Sequence, residues 1–263
     1  MEGRVNREQM EMYSHYISLG YFCEVAQDLE ILGLRNTSSP FDWGISDFQG
    51  VINAINNEFL GFLDYENLSQ NRLCRSHYHE DKYDFYFFHD FTQYKSLMSQ
   101  YDSVKEKYLR RINRFLSSIK EPTLFVRYIS AETIDENGRS VELKWIEENY
   151  DYILEVLKRY NTKNSIVLIG DETVHSDIVK VYQVSCDEGD IVSRSPILNN
   201  SELYPIFQDI DFPGKEENQR RYERKARKKR SCVTRCKNKV LRVLRGLFLQ
   251  EYKHDKSYEI VGK

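Results

Sequence analysis

An α/β fold, with a mostly parallel sheet and helices on both of its faces in three layers, is what this chain of 263 residues predicts. Three observations carry that expectation. Residues 16–20 (YISLG), 124–128 and 165–169 are short apolar runs rich in β-branched and aromatic side chains, as strands buried on both faces are. Residues 101–119 and 141–160 carry apolar side chains at helical spacing. The two kinds of segment alternate along the chain, which favours parallel strands joined by helical crossovers.

Taken in order, the strand over 16–20 turns at Gly20 into a helix over 23–34, where Val25, Ala26, Leu29 and Leu32 have helical spacing. A polar loop over 35–40 ends in Ser38-Ser39-Pro40. Phe41-Asp42-Trp43-Gly44 then leads to a helix over 47–63. Residues 73–91 are rich in aromatics and histidines, with a strand over 85–89 that ends at His89. The helix over 101–119 precedes the strand over 124–128, and the helix over 141–160 precedes a strand over 165–169 closed by Gly170-Asp171. A last strand is expected over 179–185. Functional groups in such sheets gather at the carboxyl ends of strands, where Gly20, His89 and Asp171 fall.

Composition limits the function classes. Charged residues make up 30% and hydrophobic ones 40%, no apolar run reaches eighteen residues, and no apolar stretch follows the polar start. Neither a membrane span nor a signal peptide is expected. Five irregularly placed cysteines, an odd number, argue against a secreted disulfide framework and for reduced thiols in a cytoplasm. The net charge of −3 hides an asymmetry: residues 215–245 hold fourteen Lys and Arg against three Glu, a balance of about +11 that leaves about −14 for the rest. A body over 1–212 and a basic tail over 213–263 follow.

Cys23 stands at a predicted helix N-terminus, where the dipole favours thiolate, the nucleophilic form. From position alone it can equally be a small buried apolar residue, as most free cysteines are. The strings Ser18-Leu19-Gly20-Tyr21-Phe22-Cys23-Glu24-Val25-Ala26, Leu32-Gly33-Leu34-Arg35, Pro40-Phe41-Asp42-Trp43, His89-Asp90-Phe91 and Leu124-Phe125-Val126-Arg127 decide between these readings. In order and spacing they resemble a bacterial family of unknown function described as "putative papain-like cysteine peptidases", often encoded beside glycosyltransferases of surface-polysaccharide synthesis. The resemblance spans about residues 16–171.

That resemblance implies Cys23 as nucleophile and His89 as its base, since thiols attack best when paired with imidazolium. The family's Asn before the cysteine is replaced here by Phe22, so backbone amides would have to form the oxyanion hole. Asp90 alternates with His89 on the strand and faces away. Asp42 and Asp171 remain as candidates to orient the base, with Asp42 equally able to cap the helix beginning nearby. Arg127 and Trp43 are the candidate substrate-binding residues, Arg127 through bidentate contact with an anionic group. The family label also implies a papain-like α+β fold as the alternative architecture.

His77 and His79 lie two apart on an extended segment but lack further ligands at metal-site spacing, and Cys232 and Cys236 have no second pair. No metal is expected. No Gly-rich phosphate loop is present and no cofactor is expected. In the tail, Val233, Cys236, Val240, Leu244, Leu247 and Phe248 form an apolar stripe flanked by Lys and Arg, suited to an anionic membrane surface over residues 220–250. Stacking aromatics are nearly missing there, so nucleic acid is not the expected partner. The sequence thus predicts a cysteine-dependent hydrolase or acyl-transfer enzyme of surface-polysaccharide biosynthesis, cytoplasmic and inner-membrane associated, taking a peptide, acyl or glycan substrate. The rival expectation is a non-catalytic peripheral-membrane partner of glycosyltransferases.

Overall fold

The computed structural model describes residues 12–185 and 194–228. Its central feature is a parallel sheet of four strands, β1 (His15–Ser18), β6 (Thr123–Tyr128), β7 (Ser165–Gly170) and β8 (Val181–Gln183), adjacent in that order. Every residue of β6 is buried, as an inner strand covered on both faces must be.

Alternation along the strands divides the core. Leu124, Val126 and Tyr128 join an apolar cluster with Val25 and Leu29 of α1 (Cys23–Ile31) and Leu203 and Phe207 of α5 (Leu203–Asp209). Phe125, Ile166 and Leu168 join a second cluster. Its other members come from α2 (Phe48–Asn56), α3 (Leu97–Ser118) and α4 (Val141–Lys158), including Phe48, Tyr108, Phe115 and Ile153. The parallel sheet and its helices match the expected α/β class.

A second sheet was not expected. It is antiparallel, of strands β2 (Gly44–Ser46), β5 (Phe85–Phe87), β4 (Tyr78–Glu80) and β3 (Leu68–Gln70) in that order. Phe85 and Phe87 of β5 are buried against the second cluster, and Tyr86 between them is exposed. The expected strand over 85–89 therefore stops two residues before His89. The expected helix over 47–63 stops at Asn56, because Glu58 and Phe59 take left-handed backbone at φ 49° and 61°.

Gly50 lets α2 lie against the turn that leads into β5. A Cβ there would sit 1.9 Å from the backbone carbonyl oxygen of Tyr83, which is not a movable side-chain end. Gly50→Ala should therefore destabilise the protein by about 1–3 kcal/mol, overriding the roughly 1 kcal/mol that Ala gains over Gly in a helix. Thermal unfolding checks this, and an unchanged or raised midpoint would contradict the close approach.

The first compact unit runs to Asn218 and the second from Gln219 onward. Within the second, residues 219–228 are helical, with Arg227 paired to Glu223 one turn away. The predicted stripe from Val233 to Phe248 lies outside the described residues. Among the described residues, no helix is long and apolar enough to cross a membrane, and no cluster of three His, Cys, Asp or Glu is placed to hold a metal.

Candidate functional site

The Ser18-Leu19-Gly20 run ends β1 at the carboxyl edge of the parallel sheet. Gly20 has φ +82°, and a Cβ on it would lie 2.7 Å from the Ser46 hydroxyl and 3.3 Å from Nη1 of Arg127. Glycine here both makes the turn and admits the arginine.

Arg127 is fully buried. Its Nε donates to Glu142 at 2.8 Å, Nη1 to the Leu19 carbonyl at 2.9 Å and the Ser46 hydroxyl at 3.0 Å, and Nη2 to the Ser46 carbonyl at 2.7 Å. The guanidinium carbon also lies 5.0 Å from the Phe48 ring centre. Four of its five N–H groups are thus spent inside the protein, leaving it no open fork for an anion. Instead of the expected substrate contact, Arg127 ties β1, β2, β6 and the start of α4 together. Glu142 is its counter-charge and also accepts from the Ser130 amide at 3.2 Å. Burial, the largest effect, pushes the Glu142 carboxyl up, and Arg127 opposes it.

Cys23 is the first residue of α1, behind an extended Phe22 that offers no side-chain cap. Half-buried, its thiol donates to the Glu24 carboxylate at 3.3 Å. Burial first, then the Glu24 charge, push the thiol up to about 11. The expected dipole effect is outweighed, and at neutral pH Cys23 is a thiol.

His89 is exposed, beyond the end of β5, and makes no hydrogen bond or ion pair with Cys23. Phe22 and Val25 pack in the cluster with α1 and Phe87 and Phe91 in the cluster with α3, while Tyr21 and Phe88 line one cleft. Asp90, as expected, is directed elsewhere, bonded to Lys107 and to the Tyr108 hydroxyl.

Asp42 orients no imidazole either. One of its oxygens accepts Nε of Arg35 at 3.1 Å, Nη2 at 2.5 Å and the Ser39 amide at 2.8 Å, which fixes the loop ahead of β2. Trp43 lies under the same guanidinium, whose carbon is 5.6 Å from its ring centre. Asp171 accepts from the amide and hydroxyl of Thr173 in a turn after β7. His79 stands between Asp81 and Asp84 at 2.8 and 2.6 Å, stacked on Tyr86.

What sequence reasoning missed is a cleft of about 420 Å³ where the two sheets meet. Tyr21 after β1, Ser46 and Asp47 at the end of β2, Asp84, Tyr86 and Phe88 around β5, Ser130, Glu132 and Thr133 after β6, and Glu142 line it. Tyr21 is 6% exposed, and its buried hydroxyl lies against Ser130 and Glu132. Burial, then the neighbouring Glu132, raise the Tyr21 ionisation. The position of Tyr21 just past a strand's carboxyl end was the one available signal.

Comparison with known proteins places these features in a family. A protein of Acanthamoeba polyphaga mimivirus, "Uncharacterized protein R408", is 32% identical over 176 residues, covering 59% of this chain and 76% of that protein. No solved structure matches. The family described as "Putative papain-like cysteine peptidase (DUF1796)" matches residues 14–149, just over half of the chain. That span holds Cys23, Asp42, His89, Arg127 and most of the cleft, and the chain belongs to this family.

Proposed function

We propose that this chain is a cysteine-dependent hydrolase or acyl-transfer enzyme with Cys23 as nucleophile. Family membership supports the reading, and one observation carries it: Cys23 opens a helix at the carboxyl edge of the parallel sheet, two residues from Tyr21 in the cleft wall. The reaction requires more than the described arrangement supplies. The thiol must lose its proton, and the base implied for that step, His89, has to approach it, as catalytic hydrogen bonds loose in a free enzyme do when substrate binds. A link to surface-polysaccharide synthesis, with a peptide, acyl or glycan substrate, is part of the proposal and rests on the sequence resemblance alone.

The experiment is turnover by the purified full chain against activated esters, peptides and glycan precursors. Cys23→Ala should abolish any activity found, and His89→Ala should lower it by about 10²-fold or more. Full activity in Cys23→Ala would overturn the reading. The hydrogen bond of the Cys23 thiol to the Glu24 carboxylate, which with burial pushes its ionisation up, favours a second reading, a non-catalytic partner of glycosyltransferases held at an anionic membrane by residues 220–250. Absence of turnover, together with tail-dependent sedimentation with anionic vesicles, would favour it.

A further inference from the structure

One end of the antiparallel sheet departs from the acidic character of the body. Gln70, Tyr78 and Phe87 stand in register there, the turn over 71–77 joins β3 to β4, and the chain leaves β5 toward α3. Residues 68–79 and 91–101 contain no Asp or Glu and carry Arg72, Arg75 and Lys95. Arg75 and Lys95 line one shallow, open depression of about 610 Å³ with Leu68, Gln70 and Tyr94, and no carboxylate is among its lining residues. None of the three cations forms an ion pair among the described residues. The neighbouring acids do not answer them: Glu80 is buried, Asp90 is bonded to Lys107, and the exposed Glu66 and Asp102 lie outside the lining.

The same two segments hold out the three most exposed large hydrophobic side chains among the described residues, Leu73 at 98%, Tyr94 at 86% and Met98 at 77%. Local hydrogen bonds set that presentation. The Asn71 side-chain oxygen accepts from the amides of Leu73 at 2.8 Å and Cys74 at 3.0 Å, and Gln70 donates to the Arg75 carbonyl at 2.7 Å. Across the depression, the buried Gln100 accepts from the Thr92 amide at 2.9 Å and donates to the carbonyls of Thr92 and Lys95, each at 3.1 Å. Single exposed apolar residues are ordinary on a protein surface; three in one place, beside unpaired cations, mark an interaction site.

We propose that this end of the molecule docks on an anionic lipid surface, with Leu73, Tyr94 and Met98 entering the interface and Arg72, Arg75 and Lys95 meeting the headgroups. The inference is independent of the chemistry assigned to Cys23 and of the tail. Charge and shape together select the occupant. A nucleic acid would engage the cations and leave Leu73 and Met98 in water, and an acidic peptide lying in the depression would do the same, since neither side chain lines it. A second copy would set like charges against each other. Side chains that stand almost wholly free suit a soft phase that closes around them, with tyrosine at the level of the headgroups. The acidic remainder of the body is repelled by the same surface, which orients the molecule on it.

Sedimentation with vesicles of phosphatidylcholine, alone or mixed with phosphatidylserine, tests the proposal on the full chain carrying Leu244→Asp with Leu247→Asp, which removes the tail's apolar stripe. This protein should bind the serine-containing vesicles saturably, at least about tenfold more strongly than phosphatidylcholine alone, and less as salt is added. Adding Leu73→Ser with Met98→Ser, or Arg75→Gln with Lys95→Gln, should each lower binding by about fivefold or more while leaving thermal unfolding unchanged. A readout confined to the patch comes from Leu73→Trp in the otherwise unaltered chain: its added emission should shift to the blue on serine-containing vesicles and be quenched by brominated acyl chains, whereas the emission of Trp43 and Trp145 in the wild type should not. No vesicle binding by the tail variant, undiminished binding in both patch variants, or a Leu73→Trp emission unmoved by brominated vesicles would overturn the proposal. Capture of polyglutamate or oligothymidylate in place of vesicles would overturn it in favour of another polyanion.

Discussion

Replacing Arg127 with Met should destabilise the protein by about 3–5 kcal/mol, because it strands the buried Glu142 carboxylate without its counter-charge. For a domain of this size that corresponds to a fall in Tm of roughly 10 °C, at about 2–4 °C per kcal/mol. The loss has a pH dependence whose sign follows from Glu142. Its carboxyl titrates above the ordinary value even with Arg127 beside it, and removing the guanidinium removes an opposing cause and raises it further. A folded-state value above the unfolded one means that the native state binds the extra proton, so stability is lost as pH rises through that window. The deficit of Arg127→Met should be smallest in acid, below the ordinary carboxylate range, and grow toward neutrality. Adding Glu142→Gln removes the stranded charge, keeps an acceptor for the Ser130 amide, and should recover part of the loss. Denaturant unfolding of the two variants at several pH values measures it; a Tm within 2 °C of wild type, or a deficit independent of pH and of Glu142→Gln, would refute the role given to this pair.

The same arginine shows where sequence reading reached and where it stopped. Residues 123–128 are identifiable as a buried strand because their run of apolar and β-branched side chains is local information, and β7 is identifiable for the same reason. The helices over 97–118 and 141–158 declare themselves by periodicity within a few residues of their ends. Arg127 in that strand looked available for an anion because its partners, Leu19, Ser46 and Glu142, are brought to it only by folding. The antiparallel sheet was illegible for a related reason. Its strands are three residues each, too short for alternation to register, and Gly44-Ile45-Ser46 finds β5 across the 38 residues of intervening chain. The end of α2 was hidden because Phe59 takes a left-handed backbone that its residue type disfavours, held by burial at 5% exposure. At the site, the helix N-terminus before Cys23 was legible, and the hydrogen bond of its thiol to Glu24 was not. Likewise Asp42 could be placed near a turn, but not seen to be consumed by Arg35.

Cys23 should be among the slowest thiols of the chain to alkylate at neutral pH, the reverse of the order that its place at a helix N-terminus suggests. With its ionisation near 11, only about one part in 10⁴ is thiolate at pH 7, against a few per cent for an ordinary thiol. A more basic thiolate attacks faster once formed, which returns roughly tenfold of that deficit. Cys74 differs in both respects: it stands in the segment before β4, and a hydrogen bond from Ser76 lowers its ionisation. Site-resolved mass spectrometry of iodoacetamide adducts on the native protein should therefore show Cys74 ahead of Cys23 by at least about tenfold. The Cys23 rate should keep climbing up to about pH 11, while that of Cys74 levels off earlier. Glu24→Gln removes the second-largest cause of the high value and should raise the Cys23 rate severalfold at pH 7 without changing that of Cys74. Labelling of Cys23 ahead of Cys74, or a Cys23 rate already level below about pH 9, would mean a thiol activated in the free protein. Such a result would require His89 or another cation to stand beside it in solution, and would move the weight of the functional reading back to a preformed cysteine–histidine pair.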